Sequence, residues 1–279
     1  MHDLTQVLAL WRAWQQAQGL SARTIDERAA AVRLLSDSAG CPPLEVTTLD
    51  VVAFIGRTGL MPSSRASYHE RVRAFCRWAV KVGLRVDDPS ENVPVPRRPM
   101  GVPRPVHDHE LRSLLAACSR RRTRTMVLLG ALAGLRVHEI AKVHGEDVDL
   151  VAGTLTVTGK GGSTQIIPLH EELLAQARTY PRDDYWFPAY SSQGSGQPHV
   201  GRQAVGEAIA RAMKRAGIRA TPHQLRHWYG STLLEQGTDV RVVQELMRHR
   251  SLQSTQIYTR VSPRQRQAAI AVLALPRSA

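Results

Sequence analysis

Six prolines crowd the stretch from Pro89 to Pro105: Pro89, Pro94, Pro96, Pro99, Pro103 and Pro105. Each fixes its own φ, removes a backbone donor and disfavours helix in the residue before it. No helix or central strand accommodates that density, so the stretch stiffens into extended chain. At 279 residues the chain is long enough for two folding units. The prolines mark where it divides, with a unit at 1–88, a linker at 89–106 and a second unit beyond.

Four helices are expected before the linker. The first covers about 3–18 and ends at Gly19, and the second runs from Ser21 to near Gly40. A short third begins around Thr48 and carries Leu49, Val52, Phe54 and Ile55. The fourth, about 63–82, is the clearest: Tyr68, Val72, Phe75, Ala79 and Val82 recur at helical spacing as an apolar stripe. Its other face carries Arg65, Arg71, Arg73, Arg77 and Lys81. Such a row either tracks a DNA backbone or is the solvated face of a helix.

Charge favours a nucleic-acid partner. The chain holds 37 Lys and Arg against 24 Asp and Glu, a net +13 that suits a polyanion. The excess is uneven: 13 basic against 10 acidic residues up to residue 100, and 24 against 14 beyond it. The second unit is therefore the stronger electrostatic candidate. Lysine occurs only at Lys81, Lys142, Lys160 and Lys214. Arginine forks match phosphate well, though a GC-rich coding genome produces the same bias.

Cys41, Cys76 and Cys118 are widely spaced and form no zinc or redox motif, so reduced structural cysteine and a cytoplasmic setting are expected. No signal peptide is visible and no apolar run approaches a membrane span, so no membrane partner is expected.

Beyond the linker, Asp108 is the expected N-cap of a helix reaching about Cys118. An apolar helix from about Thr123 to Ala133 stops at Gly134, followed by Leu135-Arg136-Val137-His138-Glu139-Ile140. Period-2 alternation from Leu155 to Thr158, the turn Gly159-Lys160-Gly161-Gly162, and Gln165 to Leu169 form a β-hairpin with a lysine at its tip. Residues 191–198 are a Ser/Gly-rich surface loop, and the remainder reads as helix.

His223, Arg226 and His227 share one helical face at i, i+3 and i+4. A zinc site would need a third ligand, and metalloprotease helices carry glutamate where Gln224 stands. Arg226 would also set a cation beside the metal, so neither metal nor cofactor is expected. Lys160 is a lysine in an arginine-using chain, and lysine can release a proton that arginine keeps. Arg136 follows a buried helix and needs an anion, either Glu139 or a phosphate. Among six tyrosines, Tyr229 and Tyr258 compete as nucleophile. A tyrosine hydroxyl attacking a phosphodiester held by cations accounts for the whole set.

These segments together resemble the tyrosine recombinase (phage integrase) family. Ala133-Gly134-Leu135-Arg136-Val137-His138-Glu139 is similar to its first arginine box. Gly159-Lys160-Gly161 with Ile167-Pro168-Leu169 is similar to its hairpin lysine segment, and His223-Gln224-Leu225-Arg226-His227 to its histidine–arginine box. Leu246-Met247-Arg248-His249, with Tyr258 nine residues after the histidine, resembles its closing segment. The resemblance spans about 107–262, and 1–88 is loosely similar to the family's core-binding domain. It implies a mainly α (α+β) catalytic domain with a small β-sheet, a separate all-α N-terminal domain, and a C-shaped clamp on DNA.

It also implies roles. Tyr258 attacks, Arg136 and Arg226 clamp the phosphate, Lys160 protonates the leaving 5′ oxygen, His223 takes the tyrosine proton, and His249 bonds the phosphate. His227 is structural. The implied partners are double-stranded DNA attachment sites and a tetrameric synapse of this chain, with accessory DNA-bending or directionality factors alongside. The apolar tail at 263–279 docks on a neighbouring protomer or on its own domain. The chain begins almost at the core-binding helices, leaving no room for an arm-site domain, so short attachment sites are expected. A phage or mobile-element integrase is the leading function. The alternatives are an Xer-type chromosome-dimer resolvase, a type IB topoisomerase and a DNA-binding protein without catalysis. Three positions depart from the pattern: Arg248 replaces a usual glycine, Ser163-Thr164-Gln165 replaces basic residues, and His138 replaces a small residue.

Overall fold

The computed structural model describes residues 3–97, 104–159, 164–189 and 198–248. The chain separates into two compact units, 1–100 and 101–279. Between Lys81 and Asp108 the described residues carry neither helix nor strand.

Unit 1 is four helices: α1 Leu4–Ala17, α2 Ala22–Ala39, α3 Thr48–Gly56 and α4 Pro62–Lys81. Their ends follow local chemistry. The Ser21 hydroxyl accepts from the Thr24 N–H at the start of α2, and Gly40 closes it in the left-handed region (φ 68°). Thr47 and Asp50 cap α3 reciprocally, and Pro62 opens α4 where its missing N–H costs nothing. Trp11, Val32, Leu35, Phe54, Val72, Phe75 and Ala79 form the core, with the Trp11 and Phe75 rings edge-on at 5.2 Å. The apolar stripe of α4 is inward as expected except at Val82, which follows the last helical residue and is exposed. In α3 the buried set is Val51, Phe54 and Ile55, at i, i+3 and i+4, so Leu49 and Val52 face solvent. Cys76 is fully buried, and burial pushes its thiol up to about 12.

Unit 2 adds α5 Asp108–Ala116, α6 Arg121–Leu132, α7 Val137–Ile140, a 3₁₀ turn at Gly145–Asp147, β1 Val148–Asp149, β2 Thr154–Thr158, β3 Thr164–Pro168, α8 Glu171–Ala177, α9 Arg202–Arg215, α10 His223–Glu235 and α11 Val240–Leu246. The sheet is antiparallel in the order β1-β2-β3, with Leu155 opposite Ile167 and Thr158 opposite Thr164. One expectation fails at α5. His107 is the N-cap, its N–H bonded to Glu110 at 2.8 Å, and Asp108 is the first helical residue. The Asp108 carboxylate instead accepts from the Trp228 indole at 2.7 Å.

Helix α6 is the core of this unit. Met126 to Ala131 are all buried, so it is enclosed on every side. Gly130 lets α10 approach: a Cβ there would lie 3.2 Å from Leu225 Cδ1. That close crossing holds the first turns of α10 against the end of α6. No described helix is long and apolar enough to cross a membrane.

Candidate active site

The site grows from the turn that ends α6. Gly134 adopts φ +58°, a left-handed conformation that reverses the chain without strain for glycine. A side chain there would also collide with Tyr229, whose ring carbon would stand 2.6 Å from the added Cβ. Tyr229 is therefore a packing residue over this turn, and burial pushes its hydroxyl pKa up, which disfavours the phenolate.

Arg136 follows as the N-cap of α7. Glu139, three residues on, folds back to it twice: Oε2 accepts from the Arg136 N–H at 2.7 Å and Oε1 from Nη1 at 2.9 Å. The Glu139 carboxylate is only 1 % exposed. Burial alone would raise its pKa. Arg248, the Arg136 N–H, and the Arg136 and Arg226 guanidiniums outweigh burial and hold it below the usual carboxylate range.

Arg226 comes from the first turn of α10 and is 1 % exposed. Its Nη1 donates to the Gly134 carbonyl and its Nη2 to the Met247 carbonyl. One guanidinium thus joins three segments: the turn after α6, the start of α10 and the end of α11. Burying a cation so deeply is costly without hydrogen bonds to the charged form, and these carbonyls supply them.

Arg248 completes the group. Its side chain is 6 % exposed and donates to Glu139 Oε2 at 2.9 Å, to the Gly134 carbonyl at 3.3 Å and to the Leu246 carbonyl at 3.0 Å. It is the only non-glycine with positive φ (53°) among the described residues. A side chain there costs on the order of 1–2 kcal/mol of backbone strain. That conformation explains why glycine is the usual residue at this place in the family pattern.

Two imidazoles border the arginines. The His223 ring reaches solvent on one side and meets the half-buried His227 edge-on, with centroids 4.6 Å apart. Desolvation, then the charges of Arg226 and Arg136, lower the His223 pKa. Desolvation, His223 and Arg226 bring His227 down to about 4. Both rings are neutral near pH 7, so each keeps a nitrogen able to accept a proton. Glu139 also lines a cavity of about 490 Å³ whose other wall is Leu155–Thr158 of β2. Glu139 and strand β2 therefore face the same cavity.

The structure brings together Arg136, His223 and Arg226, the last two standing 87 and 90 residues after the first in sequence. Lys160, His249, Tyr258 and the tail at 263–279 lie outside the described residues. Sequence reasoning missed Arg248 as a member of this group. The signal for it was the arginine standing at a glycine position. Glu139 was legible only as one option for pairing Arg136, and it serves two arginines.

The expected DNA row on α4 divides. Arg65 closes the C-terminus of α3 by donating to the Ile55 carbonyl and, at 3.2 Å, to that of Arg57. Arg71 pairs with Glu27 at 2.7 Å, and Arg73 is partly buried. Arg77 and Lys81 are exposed, the Lys81 ammonium lying 5.5 Å from the Trp14 ring centroid.

The chain is similar to known proteins in sequence and in fold. The model of the phage integrase family matches residues 105–265. Tyrosine recombinase XerA of Pyrococcus furiosus is 32% identical over 230 residues, covering 80% of each chain. The solved integrase of mycobacterium phage Brujita is 42% identical, with TM-score 0.51, covering 94% of this chain and 90% of that one. A lambda integrase tetramer bound to a Holliday junction shares the fold at TM-score 0.74 and 18% identity, covering 90% of this chain and 78% of that one. By the family match over more than half its length and the identity to XerA, the chain belongs to the phage integrase family of tyrosine recombinases, enzymes of DNA strand transfer.

Proposed function

We propose that this chain is a site-specific recombinase of a phage or mobile element, cutting and rejoining DNA through a 3′-phosphotyrosyl intermediate at Tyr258 and a Holliday junction. The observation that carries this reading is the gathering of Arg136, Arg226 and Arg248 around one buried carboxylate beside the imidazoles of His223 and His227. Such a group is built for a phosphate whose charge rises in the transition state. The Tyr258 hydroxyl forms a bond to phosphorus as the bond to the 5′ oxygen breaks. The tyrosine proton passes to His223, and Lys160 gives a proton to the leaving 5′ oxygen. Arg136, Arg226 and His249 bond the phosphate oxygens. A 5′ hydroxyl of the partner strand reverses the step, and bond energy kept in the phosphotyrosine removes any need for ATP.

Double-stranded attachment sites are the substrate, met by the exposed cations of α4 as well as by the site. Four protomers form the synapse, and the 263–279 tail docks between them. This activity belongs in the cytoplasm with the DNA, and accessory bending or directionality factors set its direction. Likeness to the Brujita phage integrase along most of the chain supports the phage or mobile-element reading. Likeness to XerA keeps a chromosome-dimer resolvase as the second reading.

The test is a nicked suicide substrate carrying the attachment site. Wild-type protein should give a denaturant-resistant protein–DNA adduct, and Tyr258→Phe should give none while site affinity stays within about threefold. An adduct trapped on Tyr258→Phe would move the nucleophile elsewhere.

A further inference from the structure

We propose that Arg248 is a positioning residue for cleavage, dividing the Glu139 charge so that Arg136 keeps its own for the scissile phosphate. This rests on the phosphotransfer reading above. With a glycine at 248, Glu139 would bond Arg136 alone, and that pair would carry no net charge, the Arg226 fork being engaged by the Gly134 and Met247 carbonyls. Here Glu139 offers Oε1 to Arg136 Nη1 and Oε2 to Arg248 Nη2, both at 2.9 Å. The trio of Arg136, Glu139 and Arg248 therefore carries a net +1. Arg136 is the partly exposed member, with 32 % of its side chain open, whereas Arg248 is 6 % exposed. The surplus charge thus faces outward on Arg136, where a phosphate can meet it.

Three details separate this from simple packing. The residue sits at φ 53°, so the backbone itself favours glycine and the side chain is kept against that preference. Its Nη2 also reaches the Gly134 carbonyl, the same oxygen that Arg226 holds, so Arg248 fixes the turn from which Arg136 springs. Its Nε is buried with no hydrogen-bond partner among the described residues, so the side chain is placed for charge at some loss of satisfied donors. A phosphodiester carries one negative charge, and its pentacoordinate transition state carries roughly one more. An added cation near the phosphate therefore assists the transition state more than the ground state.

The experiment measures single-turnover adduct formation on the suicide substrate, with site affinity and melting temperature in parallel. Arg248→Gly is expected to slow cleavage by at least about tenfold while site affinity stays within about threefold. Arg248→Gly with Glu139→Gln removes one charge of each sign and returns the net charge to +1 on Arg136. It should recover at least about threefold of the lost rate, although a second buried partner has been removed. A merely structural arginine would make the double variant slower than the single one. Cleavage by Arg248→Gly at the wild-type rate, or a double variant slower than Arg248→Gly, overturns the proposal. If Arg248→Gly does not fold, Arg248→Lys against Arg248→Gln carries the same comparison: the lysine variant should cleave faster, and equal rates overturn the proposal. Failure of the wild-type chain to form any adduct would instead overturn the phosphotransfer reading itself.

Discussion

Each unit of this protein carries a group of arginines, and the two groups are used in opposite ways. On α4 the cations are spent singly: Arg65 on the carbonyls that end α3, Arg71 on Glu27, with Arg77 and Lys81 left at the surface. In unit 2, Arg226 and Arg248 are buried and meet Arg136 around one carboxylate. A surface pair such as Arg71–Glu27 contributes at most about 1 kcal/mol and weakens with salt. The same charges behind low-dielectric walls act far more strongly on whatever enters. Unit 1 holds 13 basic against 10 acidic residues, which leaves little surplus once its own carboxylates and helix ends are served. Depth, rather than the number of arginines, separates a binding surface from a reactive site, since Glu27 also takes two arginines, Arg23 and Arg71, but at the surface.

The comparison breaks most sharply at Arg226. Arg226→Lys keeps a charge but loses the fork that joins the Gly134 and Met247 carbonyls. We expect adduct formation to fall by roughly 10²–10³, because a fixed donor to the developing charge is lost. The Met247 carbonyl also loses a partner, while that of Gly134 keeps Arg248, so stability should fall by roughly 1–3 kcal/mol in denaturant titrations. Arg71→Lys on α4 should do neither. Equal effects at Arg226 and Arg71 would erase the distinction between the two groups.

The legible parts of this protein were those set by local chemistry. The four helices of unit 1 follow from Ser21, Gly40, Thr47 and Pro62, whose capping preferences act within a turn. Gly134 was readable as a helix stop, and Arg136, His223 and Arg226 stood out by residue type and order; the fold gathers the three. Less legible were features decided by packing across the chain. A two-residue strand such as β1 has no periodicity to detect, and the partner of the Asp108 carboxylate, Trp228, lies 120 residues away. The apolar and basic faces of α4 were visible. Which arginines on the basic face are free for a partner was not, because Glu27 and the Ile55 carbonyl come from other helices. Arg248 looked like a departure from a pattern, and only its bond to Glu139, 109 residues upstream, shows what it does.

Unit 1 yields a smaller effect, and it sharpens the same comparison. Arg77→Ala with Lys81→Ala should weaken attachment-site binding at every sequence tested. The slope of log affinity against log salt should fall by about 2, as expected if each cation neutralises one phosphate. Arg65→Ala should leave that slope unchanged and lower the melting temperature by a few degrees, since it uncaps α3. Electrophoretic mobility shifts across a salt series, beside thermal melts, separate the two outcomes. A salt slope that falls as much for Arg65→Ala as for Arg77→Ala would return the whole row to DNA contact.

The smallest effect is a pH signature that the buried group imposes on unit 2. His227 is held at about 4 in the folded chain by desolvation, His223 and Arg226, against about 6.5 when unfolded. Above pH 6.5 the ring is neutral in both states and contributes nothing. Between about 6.5 and 4 the unfolded chain takes up a proton that the folded chain refuses, so stability declines as pH falls through that window. His223, shifted the same way, adds to the decline. Glu139, shifted below the usual carboxylate range, has the complementary window. Its contribution is full above the unfolded carboxylate pKa near 4.3 and is lost as pH falls below that value. Melting temperatures taken from pH 7 to 5 should therefore fall for the wild-type chain and fall less for His227→Gln. Since the ring is only half-buried, solvent screening limits the difference to a few degrees. An identical slope for the two proteins would show that the folded chain does not hold this imidazole neutral, and the contrast between a buried and a surface cluster would lose the desolvation it rests on.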